Sequence, residues 1–282
     1  MIKITFIILH YQTIDDTIEC IDSLHSIDST GLEWNIVVVD NCSPNKTGLS
    51  LKERYQSERV HVIISNANLG FARGNNLGCK YALDHFNPNF LIVTNNDIVI
   101  NQNNFFHLLI ETYRTTKFNI LGPDIISLVD EKHQSPVGGV INSRKKILKV
   151  GLINIFLYLS NILFLDKYIS ILLNSRRAGA VDESKTGGKK LHGAALIFHE
   201  SYFKRFESVF FERTFMFVEE DILYHRCATH NLKMIYDHEL KVYHKEDSAT
   251  NSVLVKERAK RRFVYKESIK SLFVYFVYFH KI

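Results

Sequence analysis

The first hundred residues carry four nearly unbroken apolar runs, KITFIILHY, EWNIVVVD, RVHVIISNA and FLIVTNND. A strand covered on both faces reads this way, whereas a strand with one wet face alternates. Between the runs the apolar period lengthens. Ile14, Ile18, Ile21, Leu24 and Ile27 recur three or four residues apart, which makes one helical face. A further helix is expected near 47–57, and another over GNNLGCKYALDHF. Strand and helix in alternation imply an α/β fold with a parallel, doubly wound sheet and right-handed crossovers. Ligands bind such sheets beyond the carboxyl ends of the strands. His10, Tyr11, Asp40, Asn41, Asn66 and Asp97 fall at those ends.

A chain of 282 residues holds one large α/β domain or two small ones. With 46% apolar residues, 13 glycines and only 4 prolines, it is globular and free of low-complexity tracts. Cys20, Cys42, Cys79 and Cys227 are scattered without a C-x-x-C pair, as expected for reduced thiols of a cytosolic protein. The apolar stretch at the N-terminus is too short for a secretory signal and fits a first strand. The net charge of +5 is uneven: residues 251–282 carry eight cations against Glu257 and Glu267. The basic character therefore belongs to the tail.

The glycine-rich stretch NLGFARGNNLG, residues 68–78, invites comparison with phosphate-binding loops. A dinucleotide fingerprint should follow the first strand, but that strand leads into a glycine-free LHYQTIDD. Gly70, Gly74 and Gly78 come after the third strand instead, and no G-K-[ST] follows them. The dinucleotide and P-loop readings lose their weight.

Six stretches in order, IILHYQTIDDTIECIDSL, VVVDNCSPN, NANLGFARGNNLG, LIVTNNDIVI, LHGAALIFHE and FMFVEEDILYHR, resemble family 2 glycosyltransferases; KVYHKEDSAT extends the likeness. More narrowly they are similar to the rhamnosyltransferase-like branch that builds bacterial surface polysaccharides such as O-antigen. The resemblance implies a GT-A fold, a Rossmann-like, mostly parallel sheet flanked by helices, and a nucleotide-sugar donor. It divides the chain into a GT-A domain over 1–250 and a basic-aromatic helical tail over 251–282. Residues 1–120 would form the nucleotide-sugar half. Residues 121–250 would form the acceptor and catalytic half, with an apolar insertion at 147–173.

By the same resemblance, Asp97 is the last acid of the family's D-x-D motif, and His244 completes a Mg²⁺ or Mn²⁺ site. The first acid of that motif is here Asn95, so one possible ligand is missing. Asp40 matches an acid that contacts the base or ribose, and also suits an Asx-turn. His10, Tyr11, Asn68, Gly70, Arg73, Asn76, Asn95 and Asn96 are the remaining nucleotide-sugar candidates. Gly70 in particular permits positive φ and close backbone approach. His192 and Gly193 are the acceptor-side candidates. An inverting transferase needs a carboxylate to take the acceptor proton. Glu219, Glu220 and Asp221 supply three; Glu220 holds the family position and Asp221 is its rival. Acids at a helix N-terminus also fit the helix dipole alone.

Residues 147–173 are broken by Asn154, Asn161, Asp166 and Lys167, which argues against a bilayer crossing. The tail interleaves cations with Phe and Tyr and suits peripheral contact with an anionic membrane, or else packing on the body. Nucleic acid is not expected, because it leaves the tail's apolar run unexplained. The sequence thus predicts transfer of a dTDP- or UDP-linked sugar, with dTDP-rhamnose the first guess. The expected acceptor is a polyprenyl-linked saccharide at the cytoplasmic face of the membrane. A metal-dependent nucleotidyltransferase and a non-catalytic saccharide-binding protein are the alternatives.

Overall fold

The computed structural model describes residues 1–55, 59–167, 169, 190–246 and 257–282. Among these, eight strands form one sheet in the order β3-β2-β1-β4-β7-β6-β8-β5. The first four apolar runs become β1 (Ile2–His10), β2 (Leu32–Asp40), β3 (Val60–Ile64) and β4 (Phe90–Asn95). All four are parallel, with His10 level with Asp40 and Leu9 level with Asn95. Their polar ends therefore meet along one rim.

Helices α1 (Ile14–His25), α2 (Thr47–Arg54) and α3 (Gly70–Phe86) make the crossovers. Beyond the short β5 (Ile98–Val99), α4 (Phe105–Thr116) leads to β6 (Ile120–Ser127). One face of the sheet buries Phe6, Ile8, Trp34 and Val38 against Ile21 and Leu24 of α1 and Phe106 and Leu109 of α4. The other face buries Ile7, Val37, Val39 and Val93 against Ala72, Cys79 and Ala82 of α3. Each large side chain so buried contributes about 1.5–3 kcal/mol. This two-sided burial explains why the four runs are apolar throughout.

Helix α3 begins at Gly70, four residues before the helix read from the sequence. The stretch expected to be a loop is largely the first two turns of a helix. A Cβ on Gly74 would lie 2.6 Å from Leu9, and one on Gly78 would lie 2.6 Å from Ile7. These two glycines let the helix sit close on the sheet.

The second half closes the sheet with β7 (Ala195–His199), antiparallel to both β4 and β6. Then come the short α6 (Glu200–Phe203), α7 (Glu219–Thr229) and β8 (Met234–His244). An irregularity between Pro123 and Asp124 shifts the β6–β8 register, so that His244 ends level with Ser127. It also pairs with Ile98 of β5, next to Asp97.

Helices α5 (Arg144–Ile162) and α8 (Glu257–Tyr278) lie side by side. Ile147 of α5, Ile222 of α7 and Leu272 and Tyr275 of α8 share a third apolar cluster. The basic-aromatic stretch is thus packed on the body where it is described. Arg258 donates to the carbonyls of Asn161 and Ile162, Arg261 pairs with Asp166 at 2.7 Å, and Arg262 donates to Asn161 Oδ1. Three of the cations expected to meet a membrane hold the two helices together instead. Residues 251–256 of that tail, and 168 and 170–173 of the apolar insertion, lie outside the described residues. No helix among the described residues is long and apolar enough to cross a membrane.

Candidate active site

A cleft of about 570 Å³ opens at the carboxyl ends of β1 and β4. Tyr11, Asn68, Gly70, Asn95 and Asn96 line its sheet side; His192, Gly193, Glu219 and Glu220 line the opposite wall, with Asp97 and His244 at one end. Eleven of the residues singled out in the sequence therefore share one cavity, although they are spread over more than two hundred positions.

At the Asp97 end, hydrogen bonds orient the His244 ring. Gln134 donates through Nε2 to Glu246 Oε1 at 2.6 Å, since a carboxylate can only accept. Gln134 Oε1 then faces His244 Nδ1 at 2.8 Å and must accept from it. His244 Nε2 then lies 3.3 Å from Asp97 Oδ1. Both atoms are buried and neither makes a hydrogen bond. A cation between them would give both a partner. No group of three or more His, Cys, Asp and Glu among the described residues could hold a metal alone. Two protein ligands still fit Mg²⁺ or Mn²⁺, which is bound in such sites by one or two side chains plus phosphate and water.

The three consecutive acids diverge at the start of α7. Asp221 turns away from the cleft: its Oδ1 accepts from the Ile141 N–H at 2.6 Å and its Oδ2 pairs with Lys190 at 2.5 Å. Glu219 is buried, and burial together with the neighbouring Glu220 charge holds its carboxyl well above the usual carboxylate range. Glu220 is partly exposed and lies against Gly193, where a Cβ would sit 2.8 Å from Glu220 Oε1. Phe217 and Val218, just before these acids, both have positive φ, near 70°. That strain, about 1–3 kcal/mol per residue, is typical of backbone held in place for a site.

His192 accepts the Ala194 N–H at Nδ1, and burial lowers its pKa, so it stands as a neutral ring 6.1 Å from that of His244. Asn68 Oδ1 accepts from the Gly70 N–H and from Asn41 Nδ2, tying the segment to the end of β2. Gly70 has φ +76°, and a Cβ there would lie 2.0 Å from the Phe215 carbonyl. This glycine is needed for the close approach of the 215–218 segment. Asn96 lines the cleft, but its amide donates to Thr13 and Thr17.

Four candidates besides Asp221 lie off the cleft wall. Asn76 exchanges both amide bonds with the Phe210 backbone, each at 2.8 Å, and so anchors the loop after α6. His10 is buried between Thr17 and Thr47, at 2.7 and 2.9 Å, and burial lowers its pKa to about 4. Asp40 is buried under the Ser43 N–H, the turn role anticipated for it, and packs on Gly48. Arg73 is exposed on the first turn of α3. Conversely, Asn41, Gln134, Glu246, residues 215–218 and Phe263 line the cleft without having been assigned a site role. Asn41 was visible as a strand-end residue; the others carry no local signal.

The family model for glycosyl transferase family 2 matches residues 5–164, more than half of the chain. The chain belongs to that family. A low-salt glycan biosynthesis hexosyltransferase, Agl10 of Haloferax volcanii, is 32% identical over 124 residues, 44% of this family 2 chain and 37% of the relative. The S. aureus TarS structure with UDP-GlcNAc superposes with a TM-score of 0.57 at 16% identity, covering 88% of this chain and 59% of that one. Mannosyltransferase PcManGT from Pyrobaculum calidifontis, with GDP-Man and Mn²⁺, gives 0.53 at 14%, covering 97% and 69%. At such identities the two structures bear on the fold alone, which is GT-A. The family 2 chain spans less than two thirds of the length of Agl10 and of the TarS chain.

Proposed function

We propose that this family 2 chain is an inverting hexosyltransferase that moves a sugar from a nucleotide-sugar donor onto a saccharide hydroxyl, with Glu220 as general base. The observation that carries this reading is the divergence of the three acids. Asp221 has both oxygens engaged and Glu219 favours its protonated form, so Glu220 is the acid on the cleft wall free to take a proton. The acceptor would rest beside His192 and Gly193, its hydroxyl hydrogen-bonded to the Glu220 carboxylate as it attacks.

Asp97 Oδ1 and His244 Nε2 would hold the cation, with Glu246 and Gln134 fixing the imidazole. A Mg²⁺ or Mn²⁺ ion held by these two residues would supply positive charge to offset the charge on the departing nucleoside diphosphate. Tyr11, Asn68 and Asn95 would orient the nucleotide along the sheet rim. Structures of this fold carry such donors, UDP-GlcNAc in TarS and GDP-Man with Mn²⁺ in PcManGT, which is the ligand class proposed here. The branch resemblance favours dTDP- or UDP-linked sugars, with rhamnose first. A polyprenyl-linked acceptor of bacterial surface polysaccharide, met at the cytoplasmic face, completes the proposal. A nucleotidyltransferase would need a lysine at this rim, but Lys3 sits at the other end of β1, paired with Glu33 at 3.0 Å.

The test is acceptor-dependent release of nucleoside diphosphate from dTDP-, UDP- and GDP-sugars with Mn²⁺, and the product's anomeric configuration by NMR. Release with inversion is expected; release of pyrophosphate would sink the proposal.

A further inference from the structure

Sixteen large hydrophobic side chains are exposed among the described residues, and nine of them fall within residues 148–165. Leu148, Leu152, Ile155, Leu159 and Ile162 recur at alternating steps of four and three along α5, and each is 41–66% exposed. Such spacing lays them in one stripe, and Phe156 widens it. The opposite side of α5 is covered by α8. A helix apolar around most of its surface, with one side covered and the other open, calls for a second apolar medium.

Charge points to which medium. Helix α5 carries Arg144, Lys145, Lys146 and Lys149 and no acidic residue. Arg144 stacks on Phe276 and Lys146 donates to the Val140 carbonyl, whereas Lys145 and Lys149 are exposed beside the stripe. A second copy of the same helix would bring like charge and no acid to meet it. An anionic lipid surface meets the cations and accepts the apolar stripe together. The α5–α8 pair is held firmly enough to present this face: Arg258, Arg261 and Arg262 tie the end of α5 to the start of α8.

We propose that α5 lies in the plane of an anionic lipid surface, with Leu152 and Phe156 entering the acyl boundary and Lys145 and Lys149 at headgroup level. This moves the membrane contact from the C-terminal helix, where it was expected, to the helix packed against it. The inference does not depend on the sugar chemistry.

Flotation of the full chain with vesicles of phosphatidylcholine containing phosphatidylglycerol tests it, alongside L152E/F156E and K145E/K149E. Melting temperatures unchanged from wild type certify the fold, since all four side chains are exposed. The expected result is binding at low salt that weakens with added salt. It should fall at least roughly tenfold in L152E/F156E, and clearly in K145E/K149E. Equal flotation of L152E/F156E and wild type would overturn the proposal. So would a wild type that ignores these vesicles and sediments as a dimer which L152E/F156E dissociates.

Discussion

At the Asp97 end of the cleft, a carboxylate oxygen and an imidazole nitrogen face each other at 3.3 Å without a hydrogen bond. At the Asp221 end, a carboxylate just as buried has both oxygens engaged, by a backbone N–H and by Lys190. Both aspartates stand at strand or helix ends, and both carry a sequence signal for function. Their surroundings separate them. A buried polar atom without a partner costs about 1–3 kcal/mol, and here two such atoms face each other at the cleft wall, where a ligand can reach them. A buried group with all its partners is part of the framework. Asn76, with both amide bonds made, stands with Asp221, whereas Glu220 lies partly exposed on the cleft wall.

The largest expected effect lies at Glu220. Glu220→Gln keeps the shape and removes the proton acceptor, so transfer should fall about 10²- to 10⁴-fold while donor binding holds. Asp221→Asn giving that pattern in its place would reverse the comparison. Next comes Gly193→Ala, whose added methyl meets the Glu220 carboxylate at 2.8 Å. The end of a flexible side chain can move, so stability should change little, but a displaced base should cost up to about 10²-fold in transfer. Unchanged transfer would mean that the position of Glu220 does not matter.

Asp221→Ala should act on the fold instead. It strips Lys190 of its partner at a site only 15% exposed, and about 3 kcal/mol of unfolding free energy should go, measured by denaturant titration. Molecules that remain folded should keep much of their transfer rate. A smaller effect belongs to His10. Its pKa is lowered to about 4 by burial, so below its ordinary value near 6.5 the unfolded chain binds a proton that the folded chain refuses. Stability is therefore full above pH 6.5 and declines as pH falls toward 4, by about 2 kcal/mol between pH 7 and 5. In His10→Gln, which keeps hydrogen-bonding capacity toward the two threonines, this slope should flatten. An unchanged slope would show that other groups set it.

The sheet was legible because β1, β2 and β4 are covered on both faces, which writes itself into the chain as unbroken apolar runs. The glycine-rich stretch was harder. Gly74 and Gly78 serve helix–sheet packing, and nothing local distinguishes that from a phosphate loop. Asp97, Asn95, His192 and the acids of 219–221 were found through the family pattern, yet which acid faces the cleft depends on Ile141 and Lys190, thirty to eighty residues away. Gln134 and Glu246 reach the site from beyond the ends of β6 and β8, where no periodic signal exists. The C-terminal helix was read as meeting a membrane or packing on the body, and its packing depends on distant partners: Arg258 and Arg262 bond to α5, and Arg261 to Asp166 just beyond it.

Calorimetric titration of UDP and dTDP into the full chain, with and without Mn²⁺, tests most directly the claim that Asp97 and His244 face each other across a cation site. The account predicts that Mn²⁺ tightens binding of at least one nucleotide roughly tenfold or more in the wild type. That gain should vanish in Asp97→Asn and survive in Glu220→Gln. An equal Mn²⁺ effect in Asp97→Asn, or none in the wild type, would contradict it.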